Sequence, residues 1–274
     1  MVPLLLVAAL AGPVELPPTA RIEAQRTIER ARYAFVIGAT QPFDDLYPRS
    51  MFEARVAKQM EEERVLQNAF GMVVTQAVLD EEFDRIEKTT RAPDQWEAIK
   101  KALGNDKHLI EEAFCRPPLV ERALRAKFDF DQEVHAAPHQ KARDARTAFL
   151  AKGAVKGSAV VTLLRKADAG PSTEAMLRKA QSEATGPRVL TPPTAPDRDA
   201  PRPVDPEVAV VLERELKKPG EVTTILEQRE VFQVFRLVEI RAGSWKVEGV
   251  TVPKVPFDEW FEKAKQGLVL AERE

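Results

Sequence analysis

Ser158-Ala159-Val160-Val161-Thr162-Leu163-Leu164-Arg165 is where the character of this chain changes. The run is short and β-branched, and it reads as a strand. Upstream, from residue 19 to residue 150, apolar side chains recur at helical spacing in short amphipathic pieces joined by tight turns. Downstream, residues 222–226 and 231–240 read as two more strands, the second with clear alternation. The expected fold is therefore α+β and mainly helical. A helical N-terminal domain (19–150) precedes a small, shortened α/β domain (156–242), and a tail (243–274) ends the chain.

Working back from Ser158, a charged helical stretch over 131–150 is expected to kink at Pro138. Before it, Pro117-Pro118 should break one helix and start another that carries Leu119, Val120, Leu124 and Phe128. Pro93 opens a helix with Trp96, Ile99 and Leu103, and Gly104 follows as its C-cap. Thr75 is an N-cap ahead of Val78, Leu79, Phe83 and Ile86. A longer helix from Pro48 places Met51, Phe52, Val56, Met60, Val65 and Leu66 opposite a charged face. The first helix starts at Pro17-Pro18-Thr19, with Thr19 as N-cap, and carries Ile22, Ile28, Ala31, Phe35 and Val36.

Working forward, residues 172–184 read as a helix, and the Pro-, Thr-, Asp- and Arg-rich stretch 186–206 reads as an exposed loop within the second domain. Residues 208–216 are helical and Pro219-Gly220 turns the chain. The tail carries an amphipathic helix over 257–268, and the tail aromatics Trp245, Phe257, Trp260 and Phe261 are expected to dock onto the helical domain.

Composition removes several function classes. The 41 basic and 43 acidic residues nearly cancel, so no single-sign field points to nucleic acid or to an acidic ligand. Glycine is scarce (12) and proline frequent (21), which disfavours a glycine-loop nucleotide enzyme. The single cysteine, Cys115, precludes an internal disulfide and reads as a small buried hydrophobe. The N-terminal run ending in Ala9-Leu10-Ala11-Gly12 is too short to span a bilayer and has the small-x-small form of a signal-peptidase site, so a leader over 1–18 and export are expected.

Two stretches resemble a known family. Val65-Leu66-x-x-Ala69, then Val74-Thr75-x-x-x-Leu79-x-x-Glu82-Phe83, then the hairpin from Leu103-Gly104-Asn105-Asp106 to Leu119-Val120-Glu121-Arg122, resemble the N-terminal domain of SurA-like and PrsA-like foldases. Leu216-Lys217-Lys218-Pro219-Gly220-Glu221-Val222-Thr223 is similar to the turn that leads into the last two strands of parvulin domains, with Val231-Phe232-Gln233-Val234-Phe235 in the place of the closing strand. The resemblance covers somewhat over half the chain. It implies an ATP-independent chaperone of the periplasm or the extracellular side of a bacterial envelope. The implied partners are unfolded or nascent polypeptides, and envelope association would need no transmembrane helix.

The departures bear on chemistry. The parvulin histidines are missing: residues 158–165 contain none, and the closing-strand position aligns with Gln233. Gln233 is thus a degenerate parvulin position, and the domain is expected to bind without catalysing. Client contacts are expected at Met51, Phe52, Met60, Phe70, Met72 and Val73, where flexible apolar side chains suit a client of variable sequence. An active peptidyl-prolyl isomerase and a structural subunit of an envelope assembly are the alternatives.

Other constellations read as structural. His135 and His139 at i, i+4 lie on a charged helix with Pro138 between them and read as a solvated face. Asp129, Asp131 and Glu133 complement a helix dipole, and Lys141, Arg143 and Arg146 form an exposed face. No catalytic residue, metal, nucleotide or other cofactor is expected.

Overall fold

A computed structural model describes residues 16–165 and 202–271. The chain is α+β, with many helices and one four-stranded antiparallel sheet. The expected leader with Ala9-Leu10-Ala11, the helix over 172–184 and most of the loop 186–206 lie outside the described residues. The chain divides into two compact units. One comprises the segments up to Asp129 and from Phe257 onward; the other is Phe130–Pro256.

The first unit is helical. Its elements are α1 (Pro18–Tyr33), α2 (Phe43–Leu46), α3 (Arg49–Phe70), α4 (Gln76–Thr89), α5 (Pro93–Ala102), α6 (Lys107–Ile110) and α7 (Arg116–Asp129). Proline at the first helical position starts α1 and α5, where its missing N–H costs nothing. Pro17, not Thr19, is the N-cap of α1, so Thr19 lies inside the first turn. Gly71 ends α3 in the left-handed conformation, with its N–H and that of Met72 closing onto Gln67 and Leu66 carbonyls. Ala24 and Ile28 of α1 pack with Trp96 and Ile99 of α5, with Leu103 at its C-cap and with Ile110.

The prolines at 117 and 118 do not break the chain of helices. A π-helical turn, Glu111–Cys115, joins α6 to α7, and the Arg116 N–H reaches back to the Glu111 carbonyl. Widening the turn relieves the clash of a proline ring with the carbonyl four residues earlier. Pro117 still leaves the Ala113 carbonyl without its helical donor, and Gln25 of α1 supplies one from Nε2 at 2.6 Å. The sequence reads proline as punctuation; here a distant amide satisfies the group that proline orphans.

The terminal helix α10 (Phe257–Ala271) belongs to this same unit. Phe261 joins Val65 and Leu66 of α3 and Val120 and Leu124 of α7 in one buried cluster. Trp260 stacks on Phe70 at 5.5 Å, and the Arg125 guanidinium sits 3.6 Å from the centre of the Phe257 ring.

The second unit contains α8 (Ala136–Leu150), β1 (Ala159–Leu164), α9 (Pro206–Glu215), β2 (Leu226–Glu227), β3 (Val231–Arg241) and β4 (Ser244–Pro253). The strands run in the order β1-β4-β3-β2, all antiparallel. Successive side chains on a strand point to opposite faces. On one face Val234 and Val250 meet Ala145 and Phe149 of α8. On the other, Phe235, Leu237, Trp245, Val247 and Leu163 meet Val208 and Leu212 of α9. Gly249 lies under the Phe235 ring, and a Cβ there would stand 2.7 Å from two ring carbons, so the close approach requires glycine.

Several sequence expectations are corrected. Residues 244–253, expected in the tail, form β4, a central strand that joins β3 through a tight turn at Ala242-Gly243 and carries Trp245 into the sheet unit's core with Val208 and Leu212 instead of onto the helical domain. The segment alternates Trp245, Val247 and Gly249 against Lys246 and Glu248, a period of two that glycine and the interspersed charges obscured. Strand 222–226 shrinks to Leu226–Glu227 and a single bridge from Val222 to Arg236. The helix expected over 131–150 starts at Ala136, so Pro138 falls in its first turn and needs no kink. Asp131 instead caps the preceding turn, accepting from the Glu133 and Val134 amides. The helix α8, expected in the helical domain, belongs to the sheet unit and packs on Val234 and Val250. The end of the proline-rich loop is pinned, because Arg202 bridges to Leu163.

Candidate polypeptide-binding surfaces

The six residues expected to meet a client do not share one groove. Phe52 is wholly buried and stacks toward Phe43 at 6.4 Å, so it is core and unavailable to a ligand. Met51 and Met60 are half-buried on α3. Phe70 is taken up by Trp260. Only Met72 and Val73 line a common cleft, of about 200 Å³, with Leu66 and Val120 as its apolar floor. Val73 is 61% exposed there.

Ion-paired side chains border that cleft. Met72 and Val73 lie on the extended stretch between α3 and α4, and Arg116 donates to the Val74 carbonyl at 3.2 Å. Arg116 is itself held by two bonds to Glu112, at 2.6 and 2.7 Å, and Glu112 is nearly inaccessible. Arg21 binds Glu63 at 2.7 Å beside them. A charge-assisted bidentate pair fixes a guanidinium in one orientation, and the segment it holds packs Met72 and Val74 on the helical cluster and leaves Val73 exposed between them. Arg116, Glu112 and Arg21 carry no sequence signal of their own, because a buried ion pair is defined by packing.

A second apolar surface was missed. Helix α1 stops at Tyr33, and the Phe35 and Val36 amides close a turn onto the Arg32 and Tyr33 carbonyls. Phe35, Val36 and Ile37, of which the sequence places the first two on the buried stripe of α1, stand in solvent instead, and Ile37 is 100% exposed. Gly38, at φ 78°, closes the segment. The signal was present as three consecutive large apolar residues ahead of a glycine, which helical periodicity does not explain.

In the sheet unit, Gln233 lies on β3 opposite Thr251 of β4 and donates from Nε2 to its Oγ1 at 3.3 Å. The two histidines expected upstream of this domain belong to it. His139 rests against Phe232, ring centres 5.1 Å apart, on the α8 face and thus on the opposite side of the sheet from Gln233. His135 is buried, not solvated, and its Nδ1 accepts from the Val255 amide at 3.4 Å. Arg146 is not part of an exposed face either, since it donates to the Thr223 carbonyl at 2.8 Å and ties α8 to the strand segment.

Cys115 is inaccessible, and burial, with the Glu82 and Glu111 carboxylates nearby, pushes its thiol up to about 12. A protonated, enclosed thiol is a poor nucleophile. Among the described residues no three His, Cys, Asp or Glu side chains converge in a way that could hold a metal ion. No described helix is long and apolar enough to cross a membrane. Comparison of the chain with protein-family models, with curated proteins and with solved structures finds no match.

Proposed function

We propose that this chain is an ATP-independent chaperone of the SurA-like or PrsA-like kind, which holds unfolded or nascent polypeptides outside the cytoplasm through apolar side chains of its helical unit. Its sheet unit is read as a shortened parvulin-like domain that binds without catalysing. The observation that carries the reading is the exposed run Phe35-Val36-Ile37. Folding gains nothing from leaving three large apolar side chains in water, and exposed apolar clusters mark interaction surfaces. Val73 beside its small cleft offers a second contact of the same chemistry. Non-directional apolar contact tolerates variable client sequence.

The parvulin-like reading rests on the turn motif. Gly220, at φ 95°, turns the chain so that its amide reaches the Leu237 carbonyl, and the Thr223 backbone and hydroxyl then bond Phe235. The motif thus lies hydrogen-bonded along β3 and leads through β2 into it, although β4 follows and β3 is not the closing strand. Export rests on Ala9-Leu10-Ala11.

The test is suppression of aggregation of a chemically denatured model protein on dilution, compared with the double variant Ile37→Asp, Val73→Asp. Both positions are exposed, so the variant should keep its thermal unfolding midpoint. The wild type should suppress light scattering near a stoichiometric ratio, and the variant should lose most of that effect. Equal suppression by the two proteins would remove the assignment to these surfaces, and no suppression by the wild type would remove the chaperone reading.

A further inference from the structure

We infer that the cleft between α8 and β4 takes an extended acidic polypeptide segment, which adds to β4 as a strand; the inference rests on the polypeptide-binding reading above and gives it a second, chemically distinct site. Strand β4 pairs with β3 along its length, but with β1 only as far as Gly249, opposite Ala159. Beyond that point Val250–Pro253 has a strand on one side only.

The phase of the ladder shows which backbone groups face the open side. The Lys254 amide donates to the Glu230 carbonyl at 2.9 Å. In an antiparallel pair, residues alternate between directing both backbone groups toward one neighbour and toward the other. Lys254, Val252 and Val250 therefore face β3. Gly249, Thr251 and Pro253 face the β1 side. Gly249 is taken by Ala159, which leaves the Thr251 N–H and C=O and the Pro253 C=O directed into the opening. An open edge of this kind is a template for another strand.

The opening is shaped for one. A cleft of about 750 Å³ borders this stretch of β4, walled by α8 and by residues 154–157. The α8 wall presents Ala145 and Ala148, whose small side chains leave room beside the edge. Its rim is cationic. Lys141 and Lys156 line the cleft, both exposed, and neither ammonium group has a hydrogen bond or ion pair among the described residues. Most cations elsewhere in the described structure are paired. The one rim carboxylate, Asp144, accepts from Gln140 at 2.8 Å. Two uncommitted ammonium groups flanking a main-chain edge fit a segment with small or β-branched side chains at its centre and carboxylates at its flanks.

The probe is a fluorescein-labelled peptide of alternating valine and threonine with two glutamates at each end, set against the same peptide with lysines in their place. Binding to the full chain is read by fluorescence anisotropy. The acidic peptide should bind at least tenfold tighter than the basic one, and added salt should erode the difference. Lys141→Glu together with Lys156→Glu should reverse the preference. Saturation with the acidic peptide should slow hydrogen exchange at the Thr251 amide. Thr251→Pro, which removes the outward N–H together with the hydroxyl that Gln233 reaches, should weaken binding more than Thr251→Val, which removes the hydroxyl alone, while circular dichroism of both stays that of the wild type. Equal binding of the two peptides, an unshifted preference in the lysine variant, or an unprotected Thr251 amide would each overturn the inference. Aggregation suppression is measured in parallel. If it persists while the peptide fails, the cleft assignment falls alone; if both fail, the polypeptide-binding reading falls with it.

Discussion

At the scale of single residues, two buried groups carry consequences that no local pattern announces. Gln25 supplies the donor that Pro117 cannot. Removing it leaves the Ala113 carbonyl buried and unpaired, which costs about 1–3 kcal/mol. Gln25→Leu should lower the urea midpoint of the helical unit accordingly, and an unchanged midpoint would show that water replaces the amide. Cys115 gives a pH dependence with a defined sign. Its folded pKa, about 12, lies above the ordinary 9.0, so the folded state holds the proton more tightly. The stability this contributes is complete below the ordinary value and is lost as pH rises from there through the folded pKa. The stability difference between the wild type and Cys115→Ala should thus stay constant below about pH 8.5 and shrink above it. The native thiol should also resist alkylation at that pH until the chain is unfolded.

At the scale of elements, α10 is the piece that closes the helical unit. Its aromatic face was legible from the spacing of Phe257, Trp260 and Phe261, and so was its docking partner in outline. Phe261→Ala would open a cavity against Val65, Leu66, Val120 and Leu124. A buried phenylalanine lost from a core costs about 3–5 kcal/mol. Denaturation followed by tryptophan fluorescence should show that loss, since Trp260 reports from the same cluster. The exposed substitution Lys263→Ala, whose partner among the described residues is the neighbouring-turn Glu259 at 2.7 Å, should change stability by less than about 0.5 kcal/mol. The strands were harder to read than the helices. In β4 the alternation is interrupted by Gly249, and only the Phe235 ring that covers it explains why a glycine belongs there.

At the scale of the whole molecule, the reading is of a binding protein whose sheet unit performs no isomerisation. Uncatalysed X-Pro relaxation takes tens to hundreds of seconds. The chain should leave that phase of a refolding substrate unchanged, and Gln233→His should not create activity, because the imidazole nearest β3, that of His139, lies across the sheet on Phe232. Acceleration of the slow phase by the wild type would promote the isomerase alternative. By itself the sequence determined the class of the fold, the longer helices α1, α3, α4, α5 and α7, the terminal aromatic helix and the onset of β structure next to Ser158, because periodicity, caps and glycine stops act within a few residues. Tertiary structure alone decided the rest. It set which unit α8 joins, how Pro117 is tolerated through a Gln25 amide that bonds a carbonyl 88 positions away, and why Phe52 is core while Ile37 is bare. It also left half of β4 with an open edge. Each of those depends on a partner distant in the chain, and burial is a property of the partner as much as of the residue.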